Sequence, residues 1–311
     1  MAEESKKVIY AAGAANLAIA VSKFAAFAIT GSGAMLAEAF HSTADTGNEL
    51  LLLVGLNRSS RPPDRQHPFG HARELYFWGF VVALSIFAVG GGLSVYEGIT
   101  RVLQPPPLED PTWNYIVLGL AAAFEGYSWS VALRNVNRRR EKGESFIHAV
   151  HTSKDPSVFT VLVEDSAALT GLAIAFLGVL LSHVFNSPVL DAVASILIGL
   201  VLIAAATALG IETAGLLVGE GADQRTIDSV CRIIGDDPSV NAISNVLTMQ
   251  LGPEEVLLVA DVSFLPQLGT RELEKTVDRI EQKIQKNDPH VKRIYFEAGS
   301  LSSRSKQNQA A

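Results

Sequence analysis

The stretch AEAFHSTADTGNELLLL, residues 37–53, combines a membrane-like run of leucines with four ionisable side chains. These side chains are Glu38, His41, Asp45 and Glu49. Their spacings of three and four residues place them on one face of a helix. A carboxylate in the middle of a membrane costs roughly 2.5–3.5 kcal/mol, whereas a leucine returns only about half a kcal/mol. Because inserting such a polar face into a membrane has an unfavourable free energy, we expect the face to serve a function.

The composition of the chain points to a membrane protein. Its 311 residues are 48% hydrophobic and only 18% charged, and its mean hydropathy is positive. A helix needs about 20 apolar residues to cross a bilayer. Six segments meet this length, and they lie at about 8–30, 34–56, 75–99, 113–135, 157–184 and 188–212. The sequence therefore predicts a six-transmembrane-helix bundle that forms a transport domain over residues 1–212.

The basic residues predict the orientation of the bundle. Between spans two and three lie Arg58, Arg61, Arg65 and Arg73, and between spans four and five lie Arg134, Arg138, Arg139, Arg140, Lys142 and Lys154. The opposite turns are nearly free of Arg and Lys, so the positive-inside rule predicts that both termini are cytoplasmic. No removable leader is recognisable, and we expect a retained first span.

After about residue 213 the pattern changes to that of a water-soluble fold. Helix, strand, strand, helix and strand follow in this order, which predicts a cytoplasmic α/β domain of ferredoxin-like αββαβ type over residues 213–299. The polar residues 300–311 are expected to be a disordered tail.

Several classes of function are disfavoured by the sequence. The single cysteine, Cys231, excludes a Cys-rich metal site. The net charge of −7, without a basic stripe, gives no reason to expect a nucleic-acid partner. No HExxH motif occurs, so the protein is not expected to be an enzyme, and no prosthetic group is expected.

Two acidic helices favour a metal ion inside the bundle. His41 and Asp45 are one helical turn apart, which suits two ligands of one ion. Span five carries Glu164 and Asp165 without a basic neighbour in sequence, and two acidic helices repel each other unless a cation or protons lie between them. Alternatively, the polar groups of span two only bond across helices, or Glu38 and Glu49 lie near the headgroups. Lys23 in the first span either extends towards the headgroups or pairs with an acid such as Glu38.

The chain resembles the cation diffusion facilitator family of proton-coupled divalent metal exporters. The resemblance rests on the six spans, the HxxxD pair His41 and Asp45, the acidic site in span five, the loop DRQHPFGHARE at 64–74 and the C-terminal α/β domain. It implies that His41, Asp45 and Asp165 bind the transported ion. It also implies a homodimer in a lipid bilayer.

The resemblance is incomplete in span five. Where zinc-transporting members usually have a second ligand four residues before Asp165, this chain has Val161. Glu164, Asn48, Glu38 or water could supply the missing oxygen. The LxED arrangement is similar to the branch of the mitochondrial zinc exporter, so zinc is the expected substrate. Manganese or ferrous iron is the alternative, because harder ligands favour those ions.

Two further regions contain residues that could bind a metal. Asp64, His67 and His71 have ligand chemistry and spacings of three and four, so this loop either binds a secondary metal or caps a helix. The C-terminal domain has Asp261, Tyr295 and Glu297 where the resemblance would place ligands. We expect this domain to dimerise without a structural metal.

The expected mechanism is proton-coupled metal efflux by alternating access, because metal ions and protons compete for the same ligands. A bacterial inner (plasma) membrane is the expected location, with an organelle membrane as the alternative. A membrane-anchored metal sensor or scaffold remains a second hypothesis for the function.

Overall fold

The computed structural model describes residues 2–107, 110–139 and 156–298. It divides into two compact units. The helical unit comprises Met1–Arg61 and Glu74–Ala214, and the α/β unit comprises Pro62–Arg73 and Gly215–Ala311. The expected disordered tail, residues 300–311, lies outside the described residues, as does most of the basic loop between the fourth and fifth helices.

Long helices occur at all six positions where the sequence predicts apolar segments. They are α1 (Ala2–Thr30), α2 (Gly33–Ser59), α3 (Glu74–Leu103), α4 (Thr112–Arg139), α5 (Pro156–Val184) and α6 (Val189–Val218). By length and apolar composition, four stretches within the described residues could cross a membrane: Glu74–Leu103, Thr112–Arg134, Phe159–Val184 and Val189–Val218. The chain is therefore a mostly helical membrane protein.

Helix α2 packs against α1, α3 and α5. Its first half is small and apolar, and Ala34, Met35 and Ala37 are fully buried in the core. Small side chains allow helix backbones to approach closely. The polar face identified in the sequence therefore continues directly from a buried, closely packed part of α2.

The N-terminus of α2 is fixed by α6. The Asp191 carboxylate accepts hydrogen bonds from the Ser32 hydroxyl at 2.7 Å and from the Gly33 amide at 2.5 Å. The first amides of a helix have no partner within the helix, and a carboxylate satisfies them well. Ser32 itself accepts from the Met35 amide. Asp191 thus acts as a bonding partner that anchors the start of α2.

Helix α3 is interrupted by a π-helical segment, Ile86–Gly92. Gly91 in this segment faces α6 so closely that a Cβ there would lie 2.6 Å from Ile203 Cγ1 and 3.0 Å from the Gly199 carbonyl oxygen. The glycine permits this contact because it lacks a Cβ atom.

The α/β unit contains α7 (Gln224–Gly235), β1 (Val240–Gly252), β2 (Glu255–Phe264), α8 (Thr270–Asn287) and β3 (Val291–Ala298), in the predicted order. The sheet order is β1-β2-β3. Strands β1 and β2 pair antiparallel, with Val246 opposite Ala260, and β2 and β3 pair parallel, with Leu258 opposite Ile294. Helix α8 makes the crossover that a parallel pair needs.

The core of this unit lies between the sheet and its helices. Leu258, Ala260 and Val262 of the central strand are fully buried with Ile280 and Ile284 of α8. These positions recur every second residue in the strand and every fourth in the helix, as expected for one buried face of each element.

Candidate metal centre

His41 is the most unusual side chain on the polar face of α2. It is only 1% exposed, and neither ring nitrogen has a hydrogen-bond partner among the described residues. Its Nδ1 lies 3.5 Å from Asp45 Oδ1, an oxygen that also lacks a hydrogen bond within the described ranges. Two ligands about 2.0 Å from a tetrahedral ion are about 3.3 Å apart. The His41–Asp45 pair therefore has nearly the separation that one shared ion requires.

Helix α5 brings its two adjacent carboxylates to different partners. Glu164 Oε1 accepts a hydrogen bond of 2.8 Å from the Asn48 amide of α2. Asp165 Oδ2 accepts one of 2.9 Å from the Ser128 hydroxyl of α4. Neighbouring residues in a helix point about 100° apart, which explains the division. Of the residues predicted from the sequence, the structure joins Glu164 and Asn48 directly, and it holds Asp165 on the α4 side.

Two further carboxylates, those of Glu49 and Glu125, act electrostatically on Glu164. Glu49 accepts a hydrogen bond of 2.8 Å from the Asn16 amide, and its second oxygen is buried without a partner among the described residues. Glu125 of α4 is 8% exposed. The charged groups that act on Asp45 include Glu164 and Glu125. Because like charges concentrated in a bundle repel, this arrangement favours bound cations or protons.

One base opposes these acids from α1. The Lys23 ammonium donates to Glu38 Oε2 and to the Ser42 hydroxyl, both at 2.8 Å. The side chains of Lys23 and Glu38 are fully buried. Of the two expectations for Lys23, pairing with Glu38 is the one observed.

In the α/β unit, Asp64, His67 and His71 form a compact cluster. Within the part of the chain that the structure describes, it is the one group of three His, Cys, Asp or Glu residues whose ligand atoms all lie within 4.8 Å of one another. Asp64 Oδ1 lies 3.3 Å from His67 Nδ1, and Asp64 Oδ2 lies 3.1 Å from His71 Nε2. These distances suit the ligand separation around one tetrahedral ion.

The Asp64 carboxylate is also a turn residue. It accepts hydrogen bonds from the backbone amides of His67 and Gln66, at 2.7 and 2.8 Å. The bond from the His67 amide, followed by the bond to the His71 ring, lowers the pKa of Asp64 to about 2. The carboxylate is therefore ionised at neutral pH, the state that both a metal ion and the turn require.

The loop that carries this cluster is attached to the sheet of its own unit. The Arg293 guanidinium of β3 lies 5.3 Å from the Phe69 ring centroid and donates to the Phe69 carbonyl oxygen at 3.3 Å. A Cβ at Gly252, the last residue of β1, would lie 2.6 Å from Ala72 Cβ. The loop therefore packs as part of the α/β unit, which its sequence position did not indicate.

A family model that describes the cation efflux transmembrane domain matches residues 9–218. The chain belongs to the cation efflux family. It is 35% identical over 266 residues, or 85% of its length, to the human proton-coupled zinc antiporter SLC30A9, mitochondrial, of which it covers 47%. These matches confirm the resemblance to this family and to its mitochondrial zinc exporter branch.

Other cation efflux relatives are more distant. Metal tolerance protein C4 of Arabidopsis thaliana is 27% identical over 280 residues, with 90% of this chain and 61% of the relative covered. The cation-efflux pump FieF of Escherichia fergusonii is 25% identical over 286 residues, with 92% and 89% covered. The chain spans about half the length of the SLC30A9 relatives that it matches.

Sequence reasoning missed the polar partners of the candidate metal centre. Asn16, Ser42 and Ser128 hold Glu49, Lys23 and Asp165, respectively. A useful signal would have been their position within apolar helices, because a small polar residue inside a bundle commonly bonds to a neighbouring helix.

Proposed function

We propose that the protein exports a divalent transition metal ion across a membrane in exchange for protons, and that zinc is this ion. The observation that carries this proposal is the buried His41 imidazole, unpartnered within the described ranges, one helical turn from Asp45. A buried polar group without a partner costs free energy unless it has a function such as ligand binding. Membership of the cation efflux family supports transport.

The proposed site comprises His41, Asp45 and Asn48 of α2 with Glu164 and Asp165 of α5. Glu164 is positioned beside Asn48 and supplies the oxygen that Val161 cannot. Asp165 would join the ion after leaving its Ser128 hydrogen bond. One imidazole with several oxygens suits zinc, and it also suits manganese or ferrous iron.

Proton exchange follows from the ligand chemistry. The carboxylates and the imidazole must lose their protons to bind the ion, so metal binding releases protons and protonation releases metal. If the site opens alternately to the two sides, a proton gradient drives metal movement in the opposite direction. In this proposal the transported ion is a substrate rather than a resident cofactor.

Membership of the cation efflux family also supports a proposed membrane arrangement and oligomeric state. All six long helices span the membrane, the ferredoxin-like α/β domain and both termini are cytoplasmic, and two chains form a homodimer. The proposed domains are a transport domain over 1–212 and a cytoplasmic domain over 213–299, with the loop 62–73 packed in the α/β unit. The mitochondrial relatives support an organelle membrane, whereas the bacterial pump supports a plasma membrane.

We further propose that Asp64, His67 and His71 bind a second metal ion. The Asp64 carboxylate oxygens lie 3.3 Å from His67 Nδ1 and 3.1 Å from His71 Nε2, and these separations between ligand atoms support the assignment. In the family such a position can hold a secondary cytoplasmic metal. By contrast, the C-terminal residues Asp261, Tyr295 and Glu297 are proposed to hold none.

Transport in proteoliposomes tests the proposal. Zinc, manganese and ferrous iron are supplied separately to vesicles with and without a proton gradient, and metal uptake and internal pH are recorded together. We expect gradient-dependent zinc uptake with an opposing proton flux, and its loss in Asp45→Ala. A matched control is Asp110→Ala, because Asp110 bonds only within its own turn, to Thr112, among the described residues.

Two results would contradict the proposal. If no metal moves under any gradient, transport is excluded and a metal sensor or scaffold becomes the better reading. If zinc uptake is the same in wild type and Asp45→Ala, the α2 site is not on the transport path.

A further inference from the structure

The Lys23–Glu38 ion pair has no assigned role in transport, although it lies beside the proposed site. Both side chains are fully buried, and they join α1 to α2 through a contact of 2.8 Å. The second donor contact of Lys23 is to Ser42, the residue after His41. Breaking such a pair leaves a buried charge, whereas replacing both members by neutral residues of similar size is often tolerated.

Glu38 continues the polar face that contains His41 and Asp45. It lies one helical turn before His41, and its Oε1 is buried without a hydrogen-bond partner among the described residues. This oxygen lies against α5, where a Cβ built on Gly171 would be 2.5 Å from it. An unneutralised Glu38 would be a further anionic ligand close to the ion.

Lys23 is the counter-charge for this group of acids. It is a charged neighbour of His41, Asp45 and Glu125 as well as of Glu38. Glu164, Asp165 and Glu49 add acidic groups from the same interior. At Asp45 and Glu125, Lys23 is the one basic group among the principal charged neighbours within the described residues.

We propose that Lys23 is a tethered counter-cation that keeps Glu38 out of the metal centre and so limits the affinity of the site for the divalent ion. This inference rests on the proposed function. A transporter must release its ion as well as bind it, and an extra carboxylate would hold a divalent cation more tightly. Lys23 is thus a positioning and affinity-setting residue, and it is not itself a ligand.

The proposal predicts opposite effects for the two halves of the pair. Lys23→Met removes the cation and frees Glu38, so zinc should bind roughly tenfold more tightly. Glu38→Gln leaves the ammonium without its counter-ion, so zinc should bind roughly tenfold more weakly. The double variant removes one charge of each sign, and its zinc affinity should return to within about threefold of wild type.

Isothermal titration calorimetry with zinc on the purified full chain measures these affinities. All proteins carry His71→Ala, so that the loop cluster does not contribute. The same variants are then assayed for zinc uptake in proteoliposomes. Lys23→Met should lower both the KM and the turnover rate, because tighter binding slows release.

The directions in which the two single variants change the zinc affinity separate this role from a purely structural one. If Lys23 and Glu38 only stabilise the helix pair, both single variants bind zinc more weakly, and that result would overturn the proposal. Should Lys23→Met fail to give a monodisperse protein, Lys23→Gln takes its place, because it also removes the cation while keeping a polar donor for Glu38 and Ser42. Tighter zinc binding by Lys23→Gln supports the proposal, and unchanged or weaker binding overturns it.

The titration also distinguishes failure of this inference from failure of the proposed function. If wild type and Asp45→Ala, both in the His71→Ala background, bind zinc equally, the α2 site is wrong and the Lys23 inference falls with it. If zinc binding depends on Asp45 but the two single variants shift affinity in the same direction, only the Lys23 inference fails.

Discussion

At the scale of single residues, the site depends on the directions in which adjacent side chains leave their helices. Glu164 and Asp165 are consecutive, yet one bonds to Asn48 of α2 and the other to Ser128 of α4. The sequence could indicate that an acidic pair occurs in α5. It could not indicate which member contacts α2, because that depends on how α5 is rotated within the bundle.

The two adjacent carboxylates provide a matched comparison. Since Glu164 contacts α2 directly, Glu164→Gln should weaken zinc binding by roughly tenfold or more, the typical loss for a charged ligand. Asp165→Asn keeps the size of the side chain and should weaken binding less. Competition titration with a fluorescent zinc chelator measures both. A larger loss for Asp165→Asn than for Glu164→Gln would show that Asp165 is the principal α5 ligand.

The loop cluster allows a second test with single residues. His71→Ala should remove one equivalent of bound zinc, because it deletes one of three ligands within 4.8 Å of one another. His290→Ala is the control in the same unit, since His290 is exposed in the turn before β3. Zinc is counted by elemental analysis after gel filtration. Equal zinc content in both variants and wild type would exclude a metal in this loop.

At the scale of elements, hydrophobic length and periodicity predicted the helices and strands well. The last strand, VKRIYFEA, coincides with β3 as predicted, and the six apolar segments all lie within long helices. Contacts between elements were harder to predict. The Asp191 cap on α2 links positions 158 residues apart, and no local pattern encodes such a contact.

The contact between α2 and α5 requires a small residue at Gly171. A Cβ at this position would lie 2.5 Å from Glu38 Oε1. Because the atom it meets is the end of a side chain, Gly171→Ala should displace the Glu38 carboxylate from Lys23 and destabilise the bundle by about 1 kcal/mol, the low end for overpacking. Thermal unfolding in detergent, followed by tryptophan fluorescence, measures this loss.

Gly126 of α4 is the matched control for Gly171. A Cβ there would meet no atom within 4 Å in the described structure, and alanine is the better helix former. Gly126→Ala should leave the melting temperature unchanged or raise it. Equal melting temperatures for the two variants would mean that α5 does not approach Glu38 as described.

The turn after α7 is held by a buried aspartate. Asp237 is 1% exposed and accepts two hydrogen bonds from the Arg279 guanidinium, at 2.8 and 2.7 Å. These bonds lower the pKa of Asp237. Because Arg279 is partly exposed, solvent screening limits the gain, and Asp237→Asn should cost about 1–2 kcal/mol of folding stability.

The lowered pKa of Asp237 gives this contribution a defined pH dependence. A carboxyl with a lower pKa in the folded state stabilises the fold above its unfolded value, near 3.9. The contribution is lost as the pH falls through the folded pKa. Urea unfolding of wild type and Asp237→Asn should therefore differ at neutral pH and converge in strong acid. A difference that persists unchanged in acid would contradict this account.

At the scale of the whole molecule, the chain combines a candidate metal-binding face inside its helical unit with a second candidate metal cluster in its α/β unit. The loop 62–73 belongs structurally to the α/β unit although it lies between α2 and α3 in sequence. Composition and periodicity predicted the helical bundle and the α/β domain, and the resemblance of the motifs indicated the family. Sequence analysis could not assign the loop, because Phe69 and Arg293 meet across 224 positions.

The account depends most on the claim that the α2 face binds the transported ion. Zinc X-ray absorption spectroscopy observes those ligands directly, on the full chain carrying Asp64→Ala and His71→Ala to silence the loop cluster. We predict one imidazole nitrogen at about 2.0–2.1 Å with oxygen ligands for the rest, and loss of the bound zinc when Asp45→Ala is added. A shell with two or more imidazoles, or a zinc signal unchanged by Asp45→Ala, would contradict the account.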